Sequence, residues 1–213
     1  MGNKIITFSG LFVDPLDVDS RDIQIEDVAH ALSNICRFSG HVKTFFSVAE
    51  HSVLLSRRLH NSYHLLALLH DGAEAYLCDV PSPLKKQLKE YREAETELMF
   101  KIFYKFRAPT IGVAEMLKYD RWHTIYEGAQ LLPNEEFWGL SAEDARTLLP
   151  LELWTPEEAE EAFLDRFFEL ITEEGSDSAA TGECVISGIG EGLFQVLSQL
   201  GIEFDFSDLE VVE

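Results

Sequence analysis

The sequence predicts an all-α fold preceded by a short β-hairpin. Three observations carry that expectation. Apolar residues recur at helical spacing through most of the chain. A strand-like run is confined to residues 5–13, IITFSGLFV. Hydrophobic residues make up 46% of the 213, enough for one sizeable core.

The elements follow in order. The strand pair turns at Ser9-Gly10, and Asp14-Pro15 breaks it. From Ile25, the run IEDVAHALSNI places Ile25, Val28, Ala29, Leu32 and Ile35 on one helical face, with Gly40 as the stop. Phe46 to Leu59 reads as a second helix. Tyr63 to Leu77 reads as a third, and its LLALL run makes it central. Pro81 is placed to start the next helix. Tyr91 to Phe106 turns Leu98, Ile102 and Phe106 inward, and Val113 to Leu132 is stopped by Pro133. Thr155-Pro156-Glu157-Glu158 combines a cap, a first-turn proline and first-turn acids, and starts a helix to about Thr172.

Ser176 to Gly182 is small and polar and reads as a linker, and 192–202 after it reads as a short amphipathic helix. From Phe167 to Glu213 there are eleven Asp or Glu and no Lys or Arg. The expected organisation is a domain over residues 1–174 and an acidic extension over 175–213.

Composition excludes several classes. A net charge of −21 argues against duplex nucleic acid, which needs clustered cations, but leaves room for a small anionic substrate beside a bound cation. No apolar run of about 18 residues is present, so no membrane partner is expected. The start lacks the pattern of a secretory signal, and Ile6 does not suit myristoylation. Cys36, Cys78 and Cys184 have no CxxC spacing and read as buried free thiols in a reducing cytoplasm.

The chemistry-bearing residues are His51 in SVAEHSVLL, the pair His70-Asp71 in LLALLHDGAEAYL, and Asp120 in MLKYDRWH. Two imidazoles and two carboxylates from separate helices suit Zn²⁺, Mn²⁺, Co²⁺ or Fe²⁺ better than Ca²⁺. A metal so held can polarise a phosphorus centre and supply a hydroxide nucleophile. An HD dipeptide alone arises often by chance; the surrounding residues are what give it weight. Glu74 follows Asp71 by about one helical turn, which should bring it to the same site.

AEHSVLLS, ALLHDGAEAYLCDVPSPLK and KYDRWHTIYEGAQLL resemble the ligand segments of HD-domain phosphohydrolases. The likeness is nearest to small bacterial 5′-deoxynucleotidases and phage-type dATP triphosphohydrolases. RDIQIEDVAHALSNICRFSGHVKTFFSVAEHS is similar to the latter in particular. Over residues 5–135 the resemblance implies an HD-domain helical bundle, with metal on His51, His70, Asp71 and Asp120 and with Asp144 or Asp165 as alternatives for the last ligand. It also implies catalytic roles for Glu74 and Asp79, though Asp79 has a second reading as the cap of the Pro81 turn.

Arg37 precedes the first ligand, and the resemblance places such an arginine on the substrate phosphate or sugar; an exposed helix-end arginine is the other reading. Phe38 stands where the deoxynucleotidases tend to carry Trp, and reads either as a base-stacking ring or as core. His41 and Lys85 are further substrate-binding candidates, Lys85 (with Lys86 beside it) for a β- or γ-phosphate. His60, His64 and His123 read as structural, and His30 stays undecided. The implied reaction is metal-dependent hydrolysis of a deoxynucleotide, with dATP leading. The products would be deoxynucleoside and triphosphate, or phosphate released stepwise. A 5′-deoxynucleoside monophosphate nucleotidase, a non-catalytic nucleotide-binding module and a signalling-nucleotide hydrolase are the alternatives. Zn²⁺, Co²⁺ or Mn²⁺ is the expected cofactor, with Mg²⁺ accompanying the substrate phosphates, and a homo-oligomer is the expected assembly.

Overall fold

The computed structural model describes residues 2–59, 63–133 and 150–178, the last six by backbone alone. Its first element is an antiparallel pair, β1 (Ile5–Ile6) and β2 (Phe12–Val13), with Ile5 opposite Val13 and Ile6 opposite Phe12. Gly10 takes a φ of +89° in the connecting turn, where a side chain would be strained. Asp27, buried on the first helix, accepts hydrogen bonds from the Ser9 backbone N–H (2.6 Å) and hydroxyl (2.8 Å). Those two donors offset the cost of burying its carboxylate and pin the hairpin to the helices.

Helix α1 (Ile25–Asn34) buries Ile25, Val28, Ala29 and Leu32 as its spacing predicts. It stops at Asn34, before the expected Gly40. Cys36 instead pairs with Ser47 in an isolated bridge, and the Arg37 N–H donates to Phe46 O at 2.9 Å. Between them lies a tight turn with Phe38 and Ser39 at φ of 54° and 53°. This turn folds Arg37 inward, where it is buried.

Helix α2 (Val48–Arg58) starts two residues later than predicted, because the Ser47 hydroxyl caps it by accepting the Glu50 N–H at 3.0 Å. Every residue from Val48 to Ser56 is buried.

The single helix expected over 63–77 is two: α3 (His64–Leu69) and α4 (Glu74–Leu77). Between them the hydrogen bonds shorten to three-residue spacing: Gly72 N–H to Leu69 O at 2.9 Å, Glu74 N–H to Asp71 O at 2.9 Å and Ala75 N–H to Gly72 O at 3.3 Å. Gly72 permits the break to pack tightly. A Cβ there would stand 3.0 Å from Leu69 O and 3.1 Å from Ile102 Cδ1.

Helix α5 (Ser82–Lys85) begins after Pro81 rather than with it, and Pro83 occupies its first turn. Helices α6 (Lys89–Lys105) and α7 (Val113–Leu131) match their predicted spans within two residues. Helix α8 (Pro156–Ser178) opens with a reciprocal capping box: Thr155 N–H to Glu158 Oε2 at 2.8 Å and Glu158 N–H to Thr155 Oγ1 at 3.3 Å. It runs past Thr172 into the stretch read as a linker. α8 packs against α1, α2 and α3, and α3 also meets α6 and α7.

The described part of the chain is thus mostly helical, with a two-stranded sheet at its N-terminus. No described helix is long and apolar enough to cross a membrane. The cysteines differ from expectation: Cys36 is half-buried and Cys78 exposed, though both are free thiols. Asp144, His60, Cys184 and residues 179–213, including the expected helix at 192–202, lie outside the described residues.

Gly72→Ala should destabilise the fold by about 1–3 kcal/mol, the cost of forcing one methyl group into a filled space. A shift in the chemical-denaturation midpoint at unchanged m-value measures it.

Candidate metal centre

The central position of α2 and the break after α3 bring the ligand candidates together. His51, on α2, is completely buried. His70 ends α3, and Asp71 follows in the broken turn. Asp120 comes from the middle of α7. The two Nε2 atoms lie 3.4 Å apart. Asp120 Oδ1 is 3.1 Å from His51 Nε2 and 3.7 Å from His70 Nε2. Asp71 Oδ2 is 3.2 Å from His70 Nε2 and 3.6 Å from His51 Nε2. His51, His70 and Asp120 form a group whose donor atoms could hold one ion.

The opposite edge of each ring is tied off. His51 Nδ1 lies 2.8 Å from Glu127 Oε1, and His70 Nδ1 lies 2.8 Å from the carbonyl oxygen of Ala67. Both partners are acceptors, so both neutral rings carry their proton on Nδ1. Each Nε2 lone pair then points into the cluster, the arrangement of a ligating imidazole with an outer acceptor.

Charge points the same way. Asp71, Asp120 and Glu127 bring three carboxylates to a buried site and Arg37 brings one cation, which leaves two negative charges when the imidazoles are neutral. Burial disfavours imidazolium at both rings, yet the surrounding carboxylates outweigh it and raise both above the ordinary histidine range: chiefly Glu127 with Asp120 for His51, and Asp71 with Asp120 for His70. The same contacts hold Asp120 and Asp71 well below the usual carboxylate range despite their burial. A divalent cation would supply the charge that protons on the rings otherwise have to provide.

Arg37 takes neither of its expected places in full. It is buried, not exposed, and it faces the ligands themselves: Nη1 is 3.6 Å from Asp71 Oδ2, Nε is 3.1 Å from Glu127 Oε2, and Nη2 donates to Thr124 Oγ1 at 3.1 Å. Its guanidinium also lies over the Phe38 ring, 5.5 Å from the centroid. Phe38 is half-buried and packs beside Phe46, Leu54 and Leu131. His41 is exposed at the end of the same turn.

Over 173 residues the chain is 36% identical to the uncharacterized protein YfdR of Escherichia coli K12, across 78% of this chain and 94% of YfdR. The chain belongs to the YfdR family. A second relative, the uncharacterized protein RCAP_rcc00048 of Rhodobacter capsulatus, is 34% identical over 113 residues, 48% of this chain and 58% of that protein. No protein-family model matches.

In this YfdR-family chain the remaining candidates divide by what they touch. Glu74 is buried on α4. Lys85 Nζ lies 3.3 Å from its Oε1, while its Oε2 is enclosed and has no hydrogen-bond partner. Burial, reinforced by Asp71 and Asp79 and only partly offset by Lys85 and Arg37, keeps its carboxyl protonated well above the usual range. Asp79 is half-buried, and burial again raises it, against the pull of Arg37. Lys85 does not stand free for a phosphate. It is held at 2.5 Å by Glu95 Oε1, beside Tyr91, whose hydroxyl donates to Cys78 O at 2.6 Å. Asp165 is exposed on α8, so it is no rival to Asp120.

His64 is structural as expected: it bonds Leu59 O at 2.9 Å. His30 pairs with Glu160 at 2.9 Å and stacks on Phe8, joining the hairpin side to α8. His123 is buried beside His51, with ring centroids 5.3 Å apart, and Arg58 Nη1 donates to its Nε2 at 2.7 Å. Burial, aided by the charges of His51 and Arg58 against Glu127, lowers it to about 3. His51, His123 and Glu127 could by spacing hold a second ion. Arg58 and Arg37 already place guanidinium groups where that ion's charge would sit, so we read His123 as packing behind His51, stacked on its ring and bonded to Arg58.

Sequence reasoning missed Glu127, Glu95 and Glu50. Glu127 was legible in part, seven residues and so about two turns after Asp120 on one helical stripe. Glu50, next to His51, accepts the backbone N–H groups of Leu153 and Trp154 at 2.9 Å each and anchors the segment before α8. Only the tertiary fold reveals that pairing.

His70→Ala and Asp71→Ala should each abolish stoichiometric transition-metal uptake, measured by elemental analysis after exchange. In the unaltered protein, Zn²⁺ affinity should strengthen as pH rises, because the metal displaces protons from imidazoles whose proton affinity is raised. Calorimetry in buffers of differing ionisation enthalpy should count about two protons released per ion at the low-pH end.

Proposed function

We propose that this chain is a metal-dependent phosphohydrolase of the HD type acting on deoxynucleotides. The observation that carries the reading is the convergence of two buried Nε2 atoms and two half-buried carboxylates, with both Nδ1 atoms tied to acceptors. The donor set fits Zn²⁺, Co²⁺ or Mn²⁺ held by His51, His70, Asp71 and Asp120. When bound, such an ion supplies Lewis-acid polarisation of a phosphoryl oxygen and a nucleophile of lowered pKa.

The chain's own groups do the rest. Glu74 keeps its proton by burial and presents Oε2 without a partner, so it is the group able to give a proton to a leaving oxygen or to orient the attacking water. Lys85, itself anchored by Glu95, holds its other oxygen in place. Asp79, more open and less strongly shifted, is the complementary acid–base partner. Arg37 contributes a guanidinium that borders the ligand cluster from the Phe38 side, suited to a phosphate oxygen as charge develops.

The leading substrate is a deoxynucleoside triphosphate such as dATP. One observation favours the monophosphate as a second reading: Lys85, the residue read as a grip for the outer phosphates, is already engaged by Glu95 and Glu74.

A panel of NMP, dNMP, NTP and dNTP, each with Zn²⁺, Co²⁺, Mn²⁺ and Mg²⁺, should show metal-dependent release of phosphate, pyrophosphate or triphosphate from deoxynucleotides first. No release from any member would overturn the hydrolytic reading. In the active protein, Glu74→Ala should retain its metal and lose about 10²-fold or more in kcat, the scale of general acid–base assistance.

A further inference from the structure

We propose that Glu127 is a positioning residue for the metal centre. It holds His51 with the proton on Nδ1, so that Nε2, beside His70 and Asp120, carries the lone pair. This rests on the metal-centre part of the function proposed above and not on the hydrolysis.

A neutral imidazole can protonate either nitrogen, and only one choice presents Nε2 as a ligand. The two candidate ligands solve this differently. His70 donates Nδ1–H to the Ala67 carbonyl, an acceptor that no side-chain substitution removes. His51 depends on one side chain, with Nδ1 2.8 Å from Glu127 Oε1 and both residues at zero exposure. The pair is enclosed from bulk solvent. Glu127 is itself held: its other oxygen lies 3.1 Å from Arg37 Nε, and α7 carries Asp120 about two turns earlier on the same face. The ring of His51 therefore spans two carboxylates of one helix, Asp120 at Nε2 and Glu127 at Nδ1. A carboxylate behind the ring also makes the ligating nitrogen more basic than a carbonyl would. Glu127 thus tunes one ligand of the site separately from the other.

The test uses Zn²⁺ as probe on the full chain. Competition against a chelator gives the affinity, and ¹⁵N NMR of the zinc-loaded protein reads the His51 ring. The unaltered protein should show His51 protonated at Nδ1 and bound through Nε2. Glu127→Gln, nearly isosteric, should fold and bind Zn²⁺ about 10- to 100-fold more weakly. His123→Gln alters a ring that stacks on His51, bonds Arg58 and approaches Glu127 Oε1 no closer than 3.7 Å, beyond hydrogen-bond distance, and should leave the affinity within about threefold. A folded Glu127→Gln that binds within about twofold of the unaltered protein overturns the proposal, as does an equal loss in His123→Gln, which would assign the effect to packing. If Glu127→Gln fails to fold, the ring assignment decides: His51 bound through Nδ1 overturns the proposal, and Nδ1–H sustains it. Failure of the unaltered protein to take up Zn²⁺ would overturn the metal centre and this role together. Zinc binding without nucleotide hydrolysis would overturn only the hydrolytic reading.

Discussion

The buried imidazole of His51 is the contact on which the rest of the structure depends. It sits at zero exposure on a helix whose residues from Val48 to Ser56 are all buried, with a carboxylate at each ring nitrogen. A polar ring can occupy that position only if both nitrogens are satisfied. Glu127 satisfies the Nδ1–H, while Nε2 beside Asp120 needs an ion or a second proton between them. Both arrangements require α7 to lie with Asp120 and Glu127 facing α2. They also require the α3–α4 break to deliver His70 and Asp71 to the same place. The packing of three segments is therefore coupled to the protonation pattern of one side chain.

Charge explains why such a cluster tolerates burial. Carboxylates at Asp71, Asp120 and Glu127 are compensated by Arg37 and by whatever positive charge the two imidazoles or an ion provide. Removing a single member of a buried charged set is costly because it strands the others. Arg37 belongs to this balance as much as to any substrate. Lys85 plays the same part for Glu74 and Glu95. The two cations read from sequence as substrate grips are thus both embedded among acids, which shapes how much room is left for an anionic ligand.

Much of the fold was legible in the residues. The periodicity of α1, α6 and α7 and the Thr155-Pro156 start signature of α8 placed the starts of those helices within a few residues, because local spacing and end chemistry decide them. What was not legible depended on contacts distant in sequence. The break at His70–Ala73 arises where Gly72 meets Ile102 of α6, and the turn that buries Arg37 arises from the pairing of Cys36 with Ser47. At the site, His51, His70, Asp71 and Asp120 stood out by residue type and motif, and the fold brings them within 3.7 Å of a shared point of contact at the two Nε2 atoms. Glu127, Glu95 and Glu50 did not stand out. An acid in a helix is ordinary, and only the partner 76, 10 or 103 residues away gives each its role.

The central claim is that His51, His70, Asp71 and Asp120 together bind one transition-metal ion. X-ray absorption at the zinc edge of the Zn²⁺-loaded full chain tests it most directly. The account predicts a shell of nitrogen and oxygen donors at about 2.0–2.2 Å, with the outer-ring scattering of two imidazoles and no sulfur. A sulfur shell at about 2.3 Å, or a shell of oxygen alone without imidazole scattering, would contradict it.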